Sequence, residues 1–163
     1  NRSGIIMNGG PIGGIKQLGK WKIDARFNKV DLLMRCQRVA EYSSRITVSG
    51  LDGIEFIRST NSDATMYFID PPYFEKGPSL YLNSIDPNYH LDLANELRGI
   101  RDKAWVLTYD DCADIRDMYS GWANIRPFSL SYTASKKRRG KEVLITPKWI
   151  ELPSEQTSAA IGW

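Results

Sequence analysis

The sequence predicts an α/β fold whose sheet closes in a terminal β-hairpin and whose amino-terminal segment is irregular. Short apolar runs rich in aromatic and β-branched residues, at 65–69 and 104–108, read as parallel strands buried between layers. Stretches with apolar residues at helical spacing, at 88–100 and 111–119, alternate with them in the manner of a parallel sheet with crossover helices. Near the end of the chain, Phe128, Leu130 and Tyr132 alternate before a basic turn and an apolar return at 142–146, which is hairpin patterning.

The chain in order gives each element its reason. Residues 1–29 are glycine-rich, densest at Gly9-Gly10-Pro11-Ile12-Gly13-Gly14, and lack periodicity. Without a GxxxxGK[ST] or GxGxxG pattern these glycines are turns and not a phosphate cradle. Lys16, Lys20, Trp21, Lys22, Arg26, Phe27, Asn28 and Lys29 stud the segment, a mixture of cations, an amide and aromatics suited to phosphate and base contacts. Asp31 is placed as the N-cap or in the first turn of a helix through about Tyr42, with Leu32, Leu33, Cys36, Val39 and Ala40 on its inward face. A short strand is expected at 46–49, ending at Gly50-Leu51-Asp52-Gly53, and a helical turn at 54–59 leads to the strand at 65–69. Asp52 and Asp70 would then both stand at carboxyl ends of parallel strands, the edge where open α/β sheets bind ligands. A plain helix N-cap is the alternative for Asp52.

Directly after the strand at 65–69 comes Asp70-Pro71-Pro72-Tyr73. The two prolines stop the strand and hold an acid and an aromatic at its end. Taken alone, the tetrapeptide is equally a strand terminator with an incidental acid. The aperiodic stretch from Phe74 to Pro87 is a candidate lid beside it. His90 is the only histidine, so a zinc site is not expected and a capping or packing role is. The second strand ends at Tyr109-Asp110-Asp111, and Tyr109 and Asp110 are expected to line the same edge, with hydrogen-bonding support as their alternative role. Residues beyond Pro147 read as a peripheral tail.

Composition sets the bounds. A chain of 163 residues that is 42% hydrophobic and 25% charged can build a proper core. No apolar run reaches the roughly 20 residues needed to span a bilayer, and no signal-peptide pattern is present. Cys36 and Cys112 both fall in helical patterns, so no disulfide framework is expected and a cytoplasmic setting follows. The net charge of +3 hides an uneven distribution: residues 1–45 hold nine Lys/Arg against three Asp/Glu, and KKRRGK at 136–141 holds five basic residues, while the remainder is net acidic. Two basic regions on an acidic body point to a polyanion partner.

Read together, the motifs resemble one family. The (D/N)PP(Y/F/W) tetrad after an apolar strand resembles the catalytic motif of amino-methylating, S-adenosylmethionine-dependent methyltransferases. Asn1-Arg2-Ser3-Gly4, GKWKIDARFNK at 19–29, YFIDPPYF at 67–74, WVLTYDD at 105–111, SLSYTA at 129–134 and GKEVLI at 140–145 resemble, in this order, the Dam-like class of DNA adenine methyltransferases. The resemblance implies part of a Rossmann-like sheet, with 1–45 from the target-recognition region, 46–147 from the carboxyl-terminal part of the catalytic domain, and 148–163 as a tail. It implies S-adenosylmethionine as cofactor and double-stranded DNA as partner. Asp70, Pro71, Pro72 and Tyr73 would be catalytic, and Leu51, Asp52, Gly53 and Asp70 would meet the cofactor. Phe74, Tyr109, Tyr132, Lys16, Lys22, Arg26, Asn28, Lys136, Arg138 and Arg139 would meet the DNA.

One departure limits the likeness. The family's FxGxG cofactor motif and its ribose-binding acid precede the NRS segment, and this chain contains neither. The chain opens with Asn1, so an amino-terminal portion or a partner copy is expected to complete the sheet between the strands ending at Asp52 and Asp70. A related methyltransferase acting on RNA or on protein glutamine remains open, as does a non-catalytic DNA-binding module.

Overall fold

The structure, a computed structural model, describes residues 4–6, 10–60, 62–75, 86–132 and 138–152. It divides into two compact units, residues 1–50 with 132–138 and residues 51–131 with 139–163.

In the first unit, β1 (Ile5–Ile6) pairs antiparallel with β2 (Gly10–Pro11). The glycine-rich turns that follow wind around Gln17, whose amide nitrogen donates to the carbonyls of Ile12 (2.8 Å) and Gly14 (2.7 Å) while its Oε1 accepts from the Ile23 N–H (2.8 Å). Gly13 requires its positive φ of 88° and its missing side chain, since a Cβ there would sit 2.6 Å from the Trp21 carbonyl oxygen. These glycines are turn residues, as their lack of a phosphate-binding pattern predicts. Helix α1 (Lys29–Glu41) starts on Asn28, whose side chain accepts from the Asp31 N–H at 3.2 Å, so Asp31 occupies the first turn. The predicted inward face of α1 is not covered: none of its residues is buried, and Leu33 and Val39 are more than half exposed. A single 3-10 turn, Ser43–Arg45, follows.

No strand forms at 46–49. A lone extended segment gains nothing without a neighbour to take its backbone hydrogen bonds, and this one is exposed throughout. The placement of Asp52 at a strand end is corrected accordingly. Asp52 is the N-cap of α2 (Gly53–Ser59), accepting from the Ile54 N–H at 2.9 Å.

The second unit holds a four-stranded mixed sheet in the order β3-β4-β6-β5, built from β3 (Met66–Ile69), β4 (Ala104–Asp110), β5 (Ala123–Tyr132) and β6 (Arg138–Pro147). Strands β3 and β4 run parallel, Met66 opposite Ala104 through Ile69 opposite Leu107, and β4 and β6 antiparallel, Leu107 opposite Ile145 through Asp110 opposite Glu142. The fold is therefore mixed α/β, with the terminal strands side by side as the alternation of Phe128, Leu130 and Tyr132 requires. One detail differs from the expected hairpin: Arg138 and Arg139 lie within β6 and not in its turn. Lys136 lies outside the described residues, as do Asn1-Arg2-Ser3, the middle of the candidate lid and the tail past Leu152.

Helices α3 (Pro87–Gly99) and α4 (Ala113–Tyr119) complete the unit. Asp86 caps α3 by accepting from the Asn88 N–H at 2.9 Å, with Pro87 at the start where its absent N–H costs nothing. Leu93, Ala94 and Leu97 of α3, and Ile115 and Tyr119 of α4, pack with Trp105, Leu107, Tyr109, Val143 and Ile145 of the sheet in one core. Here helical and strand periodicities both find partners, with Leu93, Ala94, Leu97, Cys112 and Ile115 buried and Ile100 and Met118 packed against the core and partly buried. Strand β3 is the exception. It stands at the edge of the sheet, with Tyr67 buried but Met66 62% and Phe68 74% exposed, because β4 is its one strand neighbour among the described residues. Among the described residues no helix is long and apolar enough to cross a membrane. Cys36 and Cys112 are both free thiols.

Candidate functional site

The carboxyl end of β3 releases the chain into Asp70-Pro71-Pro72-Tyr73, and β4 receives it. Thr108 Oγ1 donates to Asp70 Oδ1 at 2.7 Å. Two residues further along β4, Asp110 is 2% exposed, with its Oδ1 accepting from the Phe74 N–H and its Oδ2 from the Glu75 N–H, both at 2.9 Å. Thr108 and Asp110 share a face of β4 because side chains alternate along a strand. The parallel pairing that sequence periodicity predicts for these strands is what brings a threonine 38 residues away against the acid.

Tyr109 points to the other face and is fully buried, so it does not line the site as expected. Its hydroxyl and His90 Nδ1 form a hydrogen bond of 2.7 Å. The His90 ring in turn meets Phe74 edge-on, 5.1 Å between centroids. Tyr109 and His90 thus support the tetrad's exit from beneath, through Phe74, which packs against the core together with Tyr73. Burial pushes the Tyr109 hydroxyl far above its ordinary range, so it stays protonated. Burial also lowers the His90 pKa, with the charge of Asp110 opposing that effect.

A pH dependence follows from His90. With its folded pKa depressed, the unfolded chain takes up a proton first as pH falls, so stability present above about pH 6.5 declines below it. The variant His90→Phe leaves the buried Tyr109 hydroxyl unpaired, a cost of about 1–3 kcal/mol at pH 7.5. Urea unfolding should show that gap holding from pH 7.5 to about 6.5 and narrowing below it.

A groove of about 590 Å³ runs beside the tetrad, lined by Asp70, Pro71 and Pro72, by the whole of β3, and by Gly53, Phe56 and Tyr89. Of the four residues assigned to a cofactor, Gly53 and Asp70 reach this groove. Leu51 is exposed, and Asp52 lies beside Tyr89, whose pKa rises first from burial and then from the Asp52 charge and hydrogen bond.

Among the proposed DNA contacts, Lys16 and Lys20 are exposed in the first unit, with Lys20 Nζ 5.7 Å from the Trp21 ring centre. Lys22 Nζ donates to the Gln17 carbonyl. Trp21 and Phe27 are more than half exposed, and Arg26 is half-buried. Asn28 is exposed and caps α1 through its side-chain oxygen. Side chains of Tyr132, Arg138 and Arg139 lie outside the described set. Among the described residues, no group of three His, Cys, Asp or Glu could hold a metal ion.

One group escaped sequence reasoning: Thr108 was visible only as a strand residue, and its partner lies 38 residues away. The packing role expected of His90 is met, its partner Tyr109 lying 19 residues away. Comparison with protein-family models and with curated proteins found no match to this chain.

Proposed function

We propose that this chain belongs to the class of Rossmann-like, S-adenosylmethionine-dependent amino-methyltransferases. Within that class, the reading is part of a cytoplasmic DNA adenine methyltransferase. The observation that carries it is Asp70, exposed at the end of a parallel strand, followed by two prolines and oriented by Thr108.

The exocyclic amine of adenine is a poor nucleophile because its lone pair is delocalised into the ring. Asp70 and the Pro71 carbonyl accept its two N–H hydrogens, which draws the nitrogen toward tetrahedral geometry and frees its lone pair. That is orientation and transition-state electrostatics. Thr108 engages one carboxylate oxygen of Asp70 and leaves the other for the amine. Pro71 and Pro72 hold the carbonyl rigidly and bring no N–H to compete for it. Extruding the base from a duplex costs a few kcal/mol, and stacking on Tyr73 returns about 1–3 kcal/mol.

The residues present fit one wall of a cofactor site. The groove beside Asp70 joins an apolar surface from Phe56 and β3 to a carboxylate, a combination suited to a sulfonium cation with apolar substituents. When bound, S-adenosylmethionine supplies an electrophilic methyl group, and Asp70, Pro71, Pro72 and Gly53 would hold it. The rest of that site belongs to a segment or partner copy that completes the sheet along β3, a reading supported by the exposure of Met66 and Phe68 on an edge strand.

Lys16, Lys20, Lys22, Arg26 and Lys29, with the basic residues at 136–139, are the candidate phosphate contacts of this reading. Six such contacts give log affinity a slope of roughly −5 against log salt. The deciding experiment supplies methyl-labelled cofactor and duplex DNA to the complete protein, and label on the adenine amine is expected. Label on RNA or glutamine alone, or binding without transfer, retires the DNA-enzyme reading.

A further inference from the structure

We infer that Asp110 is a positioning residue whose buried carboxylate clamps the backbone leaving Asp70-Pro71-Pro72-Tyr73 and sets the pose of that tetrad against β4. Pro71 and Pro72 carry no N–H, so the tetrad cannot anchor itself through backbone donors at those positions. The next amides, at Phe74 and Glu75, aim at one carboxylate and use one oxygen each, both at 2.9 Å. An ionised carboxylate is an acceptor-only group with two oxygens, which matches two successive N–H donors, and a charged acceptor makes each bond stronger than a neutral one would.

Asp110 is well placed to be rigid. It is 2% exposed and stands in register with Glu142 of β6 at the end of β4. Thr108, on the same face, fixes the other end of the tetrad through Asp70 Oδ1. Beneath them His90, bonded to Tyr109, packs on Phe74. Three consecutive residues of β4 therefore hold the tetrad at its acid, at its exit backbone and at its exit ring. With Pro71 and Pro72 fixing the interior, the position of the Pro71 carbonyl relative to Asp70 is set from both ends.

The catalytic use of this pose rests on the methyl-transfer reading, but the clamp can be measured without it. In Asp110→Asn the amide nitrogen cannot accept, so one of the two N–H bonds is lost. Amide hydrogen exchange at whichever of Phe74 and Glu75 loses its acceptor should accelerate about tenfold or more, while amides within the β4–β6 pairing keep wild-type rates. Because Glu142 lies opposite, removing the Asp110 charge also relieves a like-charge pairing, so melting temperature is not the deciding readout. For the transferase, kcat should fall about tenfold or more with KM for DNA little changed, and Asp110→Glu, which restores both acceptors on a longer arm, should recover part of it. Wild-type exchange at Phe74 and Glu75 in Asp110→Asn overturns the clamp. So does equal acceleration throughout β4 and β6 in both variants, which would make Asp110 a core residue and not a loop anchor. If the wild-type protein transfers no methyl group, the exchange result still decides the clamp, and the methyl-transfer reading alone falls.

Discussion

Replacing Asp70 with alanine should lower kcat for methyl transfer by about 10²–10³-fold, the cost of removing one preorganised partner of a developing charge. The fold should survive, because Asp70 is exposed and its hydrogen bond is to one side chain, Thr108. Asp70→Asn keeps one acceptor oxygen and should retain part of the activity. Thr108→Val keeps the shape of the strand but removes the donor that orients the carboxylate, so its effect should be smaller, about tenfold in kcat with KM unchanged. Steady-state kinetics on all three variants checks the order. Activity in Asp70→Ala equal to wild type would remove the amine-activating role proposed for the tetrad.

The largest effect on stability is expected at Trp105, which is fully buried in β4 opposite Tyr67 of β3. Its ring lies 6.0 Å from that of Trp122, which in turn lies 5.2 Å from Tyr119 of α4, so one side chain joins the sheet to a helix through two aromatic contacts. Trp105→Ala opens a cavity among these rings and should cost about 3–5 kcal/mol. Trp105→Phe should cost far less than Trp105→Ala. The indole N–H of Trp105 is buried without a hydrogen-bond partner among the described residues, so deleting it forfeits no bond there and relieves an unmet desolvation cost, which partly offsets the smaller ring. Urea unfolding of the two variants separates ring volume from the polar group, and equal destabilisation by both would contradict this account.

By itself the sequence determined the elements whose periodicity is met by a neighbour. Apolar runs closed by prolines and acids became β3 and β4, and apolar spacing at Leu93, Ala94 and Leu97 became the buried face of α3. The tetrad at 70–73 was legible as a strand end because two successive prolines withhold two backbone donors from the ladder. Tertiary structure decided the rest, for the physical reason that a pattern states which side is apolar and not what lies against it. The strand expected at 46–49 does not form, and the apolar face of α1 stays exposed. Strand β3 became an edge with Phe68 outside. Asp52 could cap a helix or end a strand, and only the missing strand decided for the cap. The bonds that shape the candidate site, Thr108 to Asp70 and Asp110 to the amides of Phe74 and Glu75, join residues 35 to 38 positions apart. Local sequence carries no trace of such bonds, because they exist only once β4 lies beside β3.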